Sequence, residues 1–153
     1  MIIKPPHSLS VVENKFSVFL AGSIEMGIAE NWQQKFENEL RDLSECFILN
    51  PRRDDWDSSW QQVKEDPKFA EQVNWELDAL EKASMILFYF SPETKSPVSM
   101  LELGLFAHSK KLIVYCPEGF WRKGNIDIVC NRYGIKQVNS LEELINQVKL
   151  KNQ

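Results

Sequence analysis

The chain lacks features that several large protein classes need. No run of about 18 apolar residues occurs, so no membrane span is expected. The opening residues, MIIKPPHSLS, hold no apolar stretch long enough for a signal peptide. Cysteine is scarce: Cys46, Cys116 and Cys130 make an odd number, with no CxxC and no Cys/His cluster. That pattern predicts no zinc site and points to a reducing cytoplasm. Cys46 and Cys116 lie in strand-like runs, where cysteine behaves as a small buried apolar residue. Positive charge is not in excess either. Eighteen Lys and Arg face 22 Asp and Glu, for a net charge of −4. With no basic patch, binding to polymeric nucleic acid is disfavoured. A small anionic ligand held by a few local donors stays open. There is no internal repeat and no low-complexity tract.

What is present suits one domain over residues 1–153, with 43% hydrophobic residues to supply a core. Residues 1–15 read as a loose lead-in. Phe16 to Ala21, Cys46 to Leu49, Met85 to Phe90, Lys111 to Tyr115 and Ile135 to Val138 read as strands. Helical spacing runs from Ala29 to Leu43, through Trp32, Phe36 and Leu40. Asp66-Pro67 reads as the cap and first residue of a helix ending near Lys82. Further helices are expected over about Pro97 to Ser109, Asn125 to Tyr133 and Leu141 to Leu150. Strands that are continuous apolar runs, alternating with helices, predict a parallel sheet covered on both faces. The expected fold is a flavodoxin-like α/β three-layer sandwich with a five-stranded parallel sheet in order 2-1-3-4-5.

In such sheets ligands bind beyond the carboxyl ends of the strands. Three loops should meet there: Gly22 to Gly27, Asn50 to Trp60 and Ser91 to Ser96. Behind the third lies SPVSMLELGLFAHSKKLIVY, in which Glu102 is the single acid of an otherwise apolar helix. Ser96 and Pro97 read as cap and first residue, which puts Glu102 within two turns of the positive end of the helix. That field favours the ionised carboxylate, suited to act as a nucleophile or to stabilise a developing cation. A solvated helix residue is the plainer alternative. The preceding helix carries Glu71, Glu76, Asp78 and Glu81, mostly a solvated face. His7 and His108 read as non-catalytic.

Three pieces together resemble a known family. FLAGSI (Phe19 to Ile24), VNWELDALEKASMILFYF (Val73 to Phe90) and the Glu102 segment are similar, in this order and spacing, to motifs of the nucleoside 2-deoxyribosyltransferase superfamily. The resemblance covers about Phe16 to Tyr115. It implies that Glu102 is a nucleophile that attacks the anomeric carbon, expels the base and holds a covalent glycosyl intermediate. It implies that Glu76 orients or protonates the leaving base, where many members carry aspartate, with Asp78 in reserve. Ser96 falls where the transferases tend to have an aspartate for the sugar 5′-hydroxyl and the 5′-monophosphate N-glycosidases a serine for the phosphate. Ser96 and Ser99 therefore tilt the expectation toward a phosphorylated substrate or a hydrolase.

Gly22 and Ser23 are expected sugar or phosphate contacts. Arg52, Arg53, Asp54 and Asp55 lie where the family contacts the base, and either arginine could reach a phosphate. Each of these four also reads as part of a mixed-charge surface loop. Trp56 and Trp60 would stack on a base or pin the loop. The implied activity is cleavage or exchange of the N-glycosidic bond of a nucleoside or nucleoside 5′-monophosphate, without metal or cofactor, in a homo-oligomer. The alternative is a non-catalytic nucleotide-binding sensor on the same fold.

Overall fold

A computed structural model of the chain describes residues 1–24 and 30–152. At its centre is a sheet of six strands: β1 (Ile2–Ile3), β2 (Ser17–Gly22), β3 (Phe47–Leu49), β4 (Met85–Tyr89), β5 (Leu112–Tyr115) and β6 (Lys136–Val138). They lie in the order β1-β3-β2-β4-β5-β6, and every pairing is parallel. The helices are α1 (Trp32–Glu39), α2 (Pro67–Lys82), α3 (Pro97–Phe106), α4 (Lys123–Tyr133) and α5 (Leu141–Lys151).

The five expected strands keep their expected mutual order, but the sheet has six strands rather than five. The sixth comes from the segment read as a loose lead-in. Ile2 and Ile3 pair with Ile48 and Leu49, and the terminal ammonium of Met1 donates to the Cys46 carbonyl at 2.8 Å. Ile3, Leu9 and Val12 are buried, the latter two in a 3-10 turn over Leu9–Val12. Trp75 Nε1 donates to the His7 carbonyl at 2.8 Å, tying the lead-in to α2. Two strand residues ahead of Pro5-Pro6 are too few to show a period, which is why the pattern passed them over.

The layers follow from strand alternation. Phe19, Ala21, Ile86, Phe88 and Val114 face one side, with Trp75, Ala79 and Leu80 of α2, Leu103 of α3 and Ile126 and Cys130 of α4. Val18, Leu20, Leu87 and Tyr89 face the other, with Trp32 and Phe36 of α1 and Leu144, Ile145 and Val148 of α5. Both faces of the strands are therefore dry, which is why they carry no polar alternation. Each buried Leu or Phe of these strands contributes roughly 1.5–3 kcal/mol.

Helix ends position the loops. Asp66 accepts from Lys68 N and Phe69 N and sets Pro67 as the first residue of α2, as the sequence predicts. Helix α3 stops at Phe106 rather than Ser109, and the chain turns at Lys110 with φ +64°. Helix α1 starts from Asn31, whose side chain accepts from Gln34 N at 3.2 Å. Residues 25–27 of the expected first loop, and residue 29 where the first helix is expected to begin, lie outside the described residues.

Gly22, at the carboxyl end of β2, has φ +132°, and an added Cβ would fall on the carbonyl oxygen of Tyr89 and 2.8 Å from its nitrogen. The close approach of β2 and β4 thus requires glycine here. Gly22→Ala is expected to destabilise the protein by more than about 3 kcal/mol or prevent folding, read by denaturant unfolding.

Candidate functional site

The carboxyl ends of β2, β3 and β4 open onto one edge of the sheet, and the expected site residues sort into distinct groups there. The first group holds the β2 and β4 loops together. Ser23 Oγ lies 2.7 Å from Thr94 Oγ1 and 2.6 Å from Ser96 Oγ, and the latter two are 2.7 Å apart. Ser91 N donates to Ser23 Oγ at 2.9 Å, and Thr94 Oγ1 donates to the Ser91 carbonyl at 3.0 Å. Ser23, Ser91, Thr94 and Ser96 are all buried. The Ser23 carbonyl accepts from Trp32 Nε1 at 3.0 Å, so α1 is tied to the same point.

Ser96 stands at the start of α3 as expected, but its side chain does not cap the helix. Its backbone is left-handed, φ 48° and ψ 50°, which turns the hydroxyl into this cluster. Thr94 and Ser91 carry no sequence signal beyond loop composition, and their roles come from contacts across the chain.

The second group lies beyond β3. Arg53 is buried, donates to Asp55 at 2.6 Å and Glu71 at 3.0 Å, and lies over the Trp60 ring at 5.0 Å. It acts as a clasp between the loop and α2. Its guanidinium holds Asp55 below the usual carboxylate range. Asp54 is exposed and pairs with Lys4 of the lead-in at 2.8 Å. Trp56 and Trp60 meet edge to face with centroids 5.1 Å apart. Arg52 differs from its neighbour. It is half-buried, donates to Gln33 Oε1 at 3.3 Å, and makes no ion pair among the described residues. Gln33 is fully buried, and its Nε2 has no partner among the described residues.

The third group is the pair of acids. Glu102 lies on α3 one turn after Ser99, both are buried, and Glu102 is 8% exposed. The apolar residues Val98, Leu101 and Leu105 of the same helix face outward at 59%, 63% and 59% exposure. Glu102 thus points in beside the core residue Leu103, while Leu101 and Leu105 point out. No hydrogen bond reaches the Glu102 carboxyl among the described residues.

Glu76, half-buried on α2, accepts from Gln72 Nε2 at 2.7 Å. Gln72 Nε2 also donates to the Pro51 carbonyl at 3.0 Å. Asp78, the reserve acid, is exposed on another face of α2. Burial, together with the charge of Glu76, pushes Glu102 from its ordinary 4.5 up to about 8. Burial pushes Glu76 up to about 7, opposed by the Gln72 donor. The expectation that the helix field keeps Glu102 ionised is therefore corrected. Loss of hydration outweighs a helix field that fades beyond the first turn.

Both carboxyls therefore hold their protons more tightly than an exposed glutamate, Glu102 more so than Glu76. No group of three His, Cys, Asp or Glu that could hold a metal occurs among the described residues, and none of the described helices is long and apolar enough to cross a membrane.

In open parallel α/β sheets, ligands bind in the crevice beyond the carboxyl ends of the strands. Comparison with known proteins adds the family. The model of the nucleoside 2-deoxyribosyltransferase like family matches residues 15–120, and the chain belongs to that family. The fold is similar to the crystal structure of a conserved protein from Enterococcus faecalis V583, with a TM-score of 0.63 and 12% identity, covering 90% of this chain and 99% of that one. No curated protein matches the chain in sequence.

Because both acids titrate above their ordinary value, the folded protein holds their protons more tightly than the unfolded chain. Their stabilising contribution is full below about pH 4.5 and is lost as pH rises through about 7 and about 8. Glu102→Gln, which cannot ionise, is expected to exceed wild type in stability at pH 8.5 by on the order of 2–4 kcal/mol and to match it near pH 4.5. Thermal unfolding at the two pH values checks this, and equal melting temperatures at pH 8.5 would contradict it.

Proposed function

We propose that the protein cleaves or exchanges the N-glycosidic bond of a nucleoside or nucleoside 5′-monophosphate. The observation that carries this reading is buried Glu102 paired electrostatically with half-buried Glu76 in a member of this family. In the reactive state Glu76 is protonated and Glu102 is ionised. Glu102 attacks the anomeric carbon, the bond from that carbon to the base breaks, and the base nitrogen takes the proton of Glu76. Water or a second base then displaces the Glu102 oxygen and restores the pair.

Burial suits both roles. It makes an ionised Glu102 a poorly hydrated nucleophile and keeps Glu76 protonated at a pH where an exposed glutamate would be bare. Ser99 lies on the Glu102 face of α3, and the contact of Ser23 with Ser96 beside Gly22 supports assigning these three residues to the sugar end of the crevice. The first-turn N–H groups of α3 receive no side-chain cap, and Arg52 has no carboxylate partner among the described residues. Both features favour a 5′-phosphate, with Arg52 preferred over Arg53 as the cation that reaches it. Asp54 and Asp55, tied to Lys4 and Arg53, would meet the base edge only by way of those pairs.

The further partner is a second copy of the chain. The uncharged outward stripe of Val98, Leu101 and Leu105 suits burial against its symmetry mate. Three buried, unpaired thiols suit a reducing cytoplasm.

The test of activity is release of free base from ribo- and deoxyribonucleosides and their 5′-monophosphates, with and without an acceptor base. Glu102→Ala is expected to lower turnover by about a thousandfold or more, and Glu76→Gln by about a hundredfold. Release from monophosphates without acceptor marks a hydrolase, and turnover only with acceptor marks a transferase. No release from any substrate, with nucleotide still bound, would replace the enzyme by the sensor. For the assembly, sedimentation velocity should give a dimer or larger for wild type and a monomer for Leu101→Glu/Leu105→Glu. A monomeric wild type would contradict self-association.

A further inference from the structure

The residue that addresses Glu76 is itself unusual. Gln72 sits one helical turn before it on α2 and is 5% exposed. Its amide nitrogen makes two bonds, to the Pro51 carbonyl at 3.0 Å and to Glu76 Oε1 at 2.7 Å. Its amide oxygen is buried with no partner among the described residues. Carbonyls only accept, so Pro51 dictates which end of the amide faces inward. The same NH2 group then meets Glu76 as a donor. A buried acceptor without a partner is costly, and a methionine or leucine would fill the space without that cost. Packing alone therefore does not account for glutamine here.

We propose that Gln72 is a positioning residue for the acid pair: clamped by the Pro51 carbonyl, its amide fixes the Glu76 carboxyl in place and favours negative charge on it over its partner. A donor to a carboxyl oxygen stabilises the ionised form. In the free protein Glu76 then ionises first and Glu102 keeps its proton. For reaction it passes from Glu102 to Glu76, which frees Glu102 to bond to the anomeric carbon, and then from Glu76 to the departing base nitrogen. One proton moves in all, and Gln72 biases its resting place. The charged or titratable groups around Glu76 are few. Glu102 faces it from α3. On the loop after β3, Arg52 is turned to Gln33, and Arg53 to Asp55 and Glu71. His7 of the lead-in contributes its backbone carbonyl to Trp75.

The inference rests on the proposed roles of Glu76 and Glu102, and its test separates the two. Carboxyl 13C shifts of glutamate-labelled protein, assigned with Glu76→Gln, give the Glu76 midpoint without reference to activity. Gln72→Met, which keeps the volume and removes the donor, should raise that midpoint by about one pH unit. Gln72→Glu, which replaces donor by acceptor, should raise it further and carries the test if the methionine variant does not fold. The pH optimum of base release should move upward with it. An unmoved midpoint in a folded variant, with only a lower melting temperature, overturns the inference even if wild type releases base. A raised midpoint in a protein that releases no base upholds the hold of Gln72 on Glu76 and sinks the enzyme reading instead.

Discussion

A carboxyl group without water, set against a second carboxyl, is the constraint on which the site depends. Glu102 would be solvated at little cost on the outer face of α3, where Val98, Leu101 and Leu105 stand instead. Pointing it inward raises its proton affinity and makes Glu76 its electrostatic partner. Among the described residues neither acid has an arginine or lysine to neutralise it, so burial and mutual repulsion disfavour charge on both at once. The fold must supply enough stability elsewhere to carry this cost, and it does so through two dry sheet faces.

The crevice is braced at several points. Gly22 lets β2 run against the backbone of Tyr89, which brings Ser23 within reach of the loop after β4. The Ser23, Thr94 and Ser96 hydroxyls lock that loop, and the lock sets where α3 begins and hence where Glu102 points. On the other side Arg53 clasps the loop after β3 to α2, while Pro51 and Gln72 fix Glu76. Each brace joins segments far apart in the chain, so both acids are placed by the tertiary structure and not by their own helices alone.

Much of this framework is legible in the sequence. Apolar runs marked five of the strands, and Asp66-Pro67 marked the start of α2. Helix spacing alone puts Ser99 and Glu102, or Gln72 and Glu76, on common faces. Spacing does not say which face turns inward, so the inward turn of Glu102 was out of reach. The two residues of β1 are too short to carry a period, and only their pairing with Ile48 and Leu49 makes them a strand. Arg52 and Arg53 look alike side by side; Glu71, 18 positions beyond Arg53, separates them. The proton affinity of Glu102 follows burial, a non-local property, more than the local field of its helix, so its sequence neighbours alone do not set it.

The central claim is that the Glu102 oxygen becomes bonded to a sugar carbon. Intact-mass and peptide mass spectrometry after incubation with a nucleoside fluorinated at the 2′ carbon tests it directly, because fluorine there slows breakdown of a glycosyl-enzyme. The account predicts the mass of one fluorinated sugar added per chain, carried on Glu102 and absent from Glu102→Gln. Stoichiometric release of base with no adduct, or an adduct on another side chain, would contradict it.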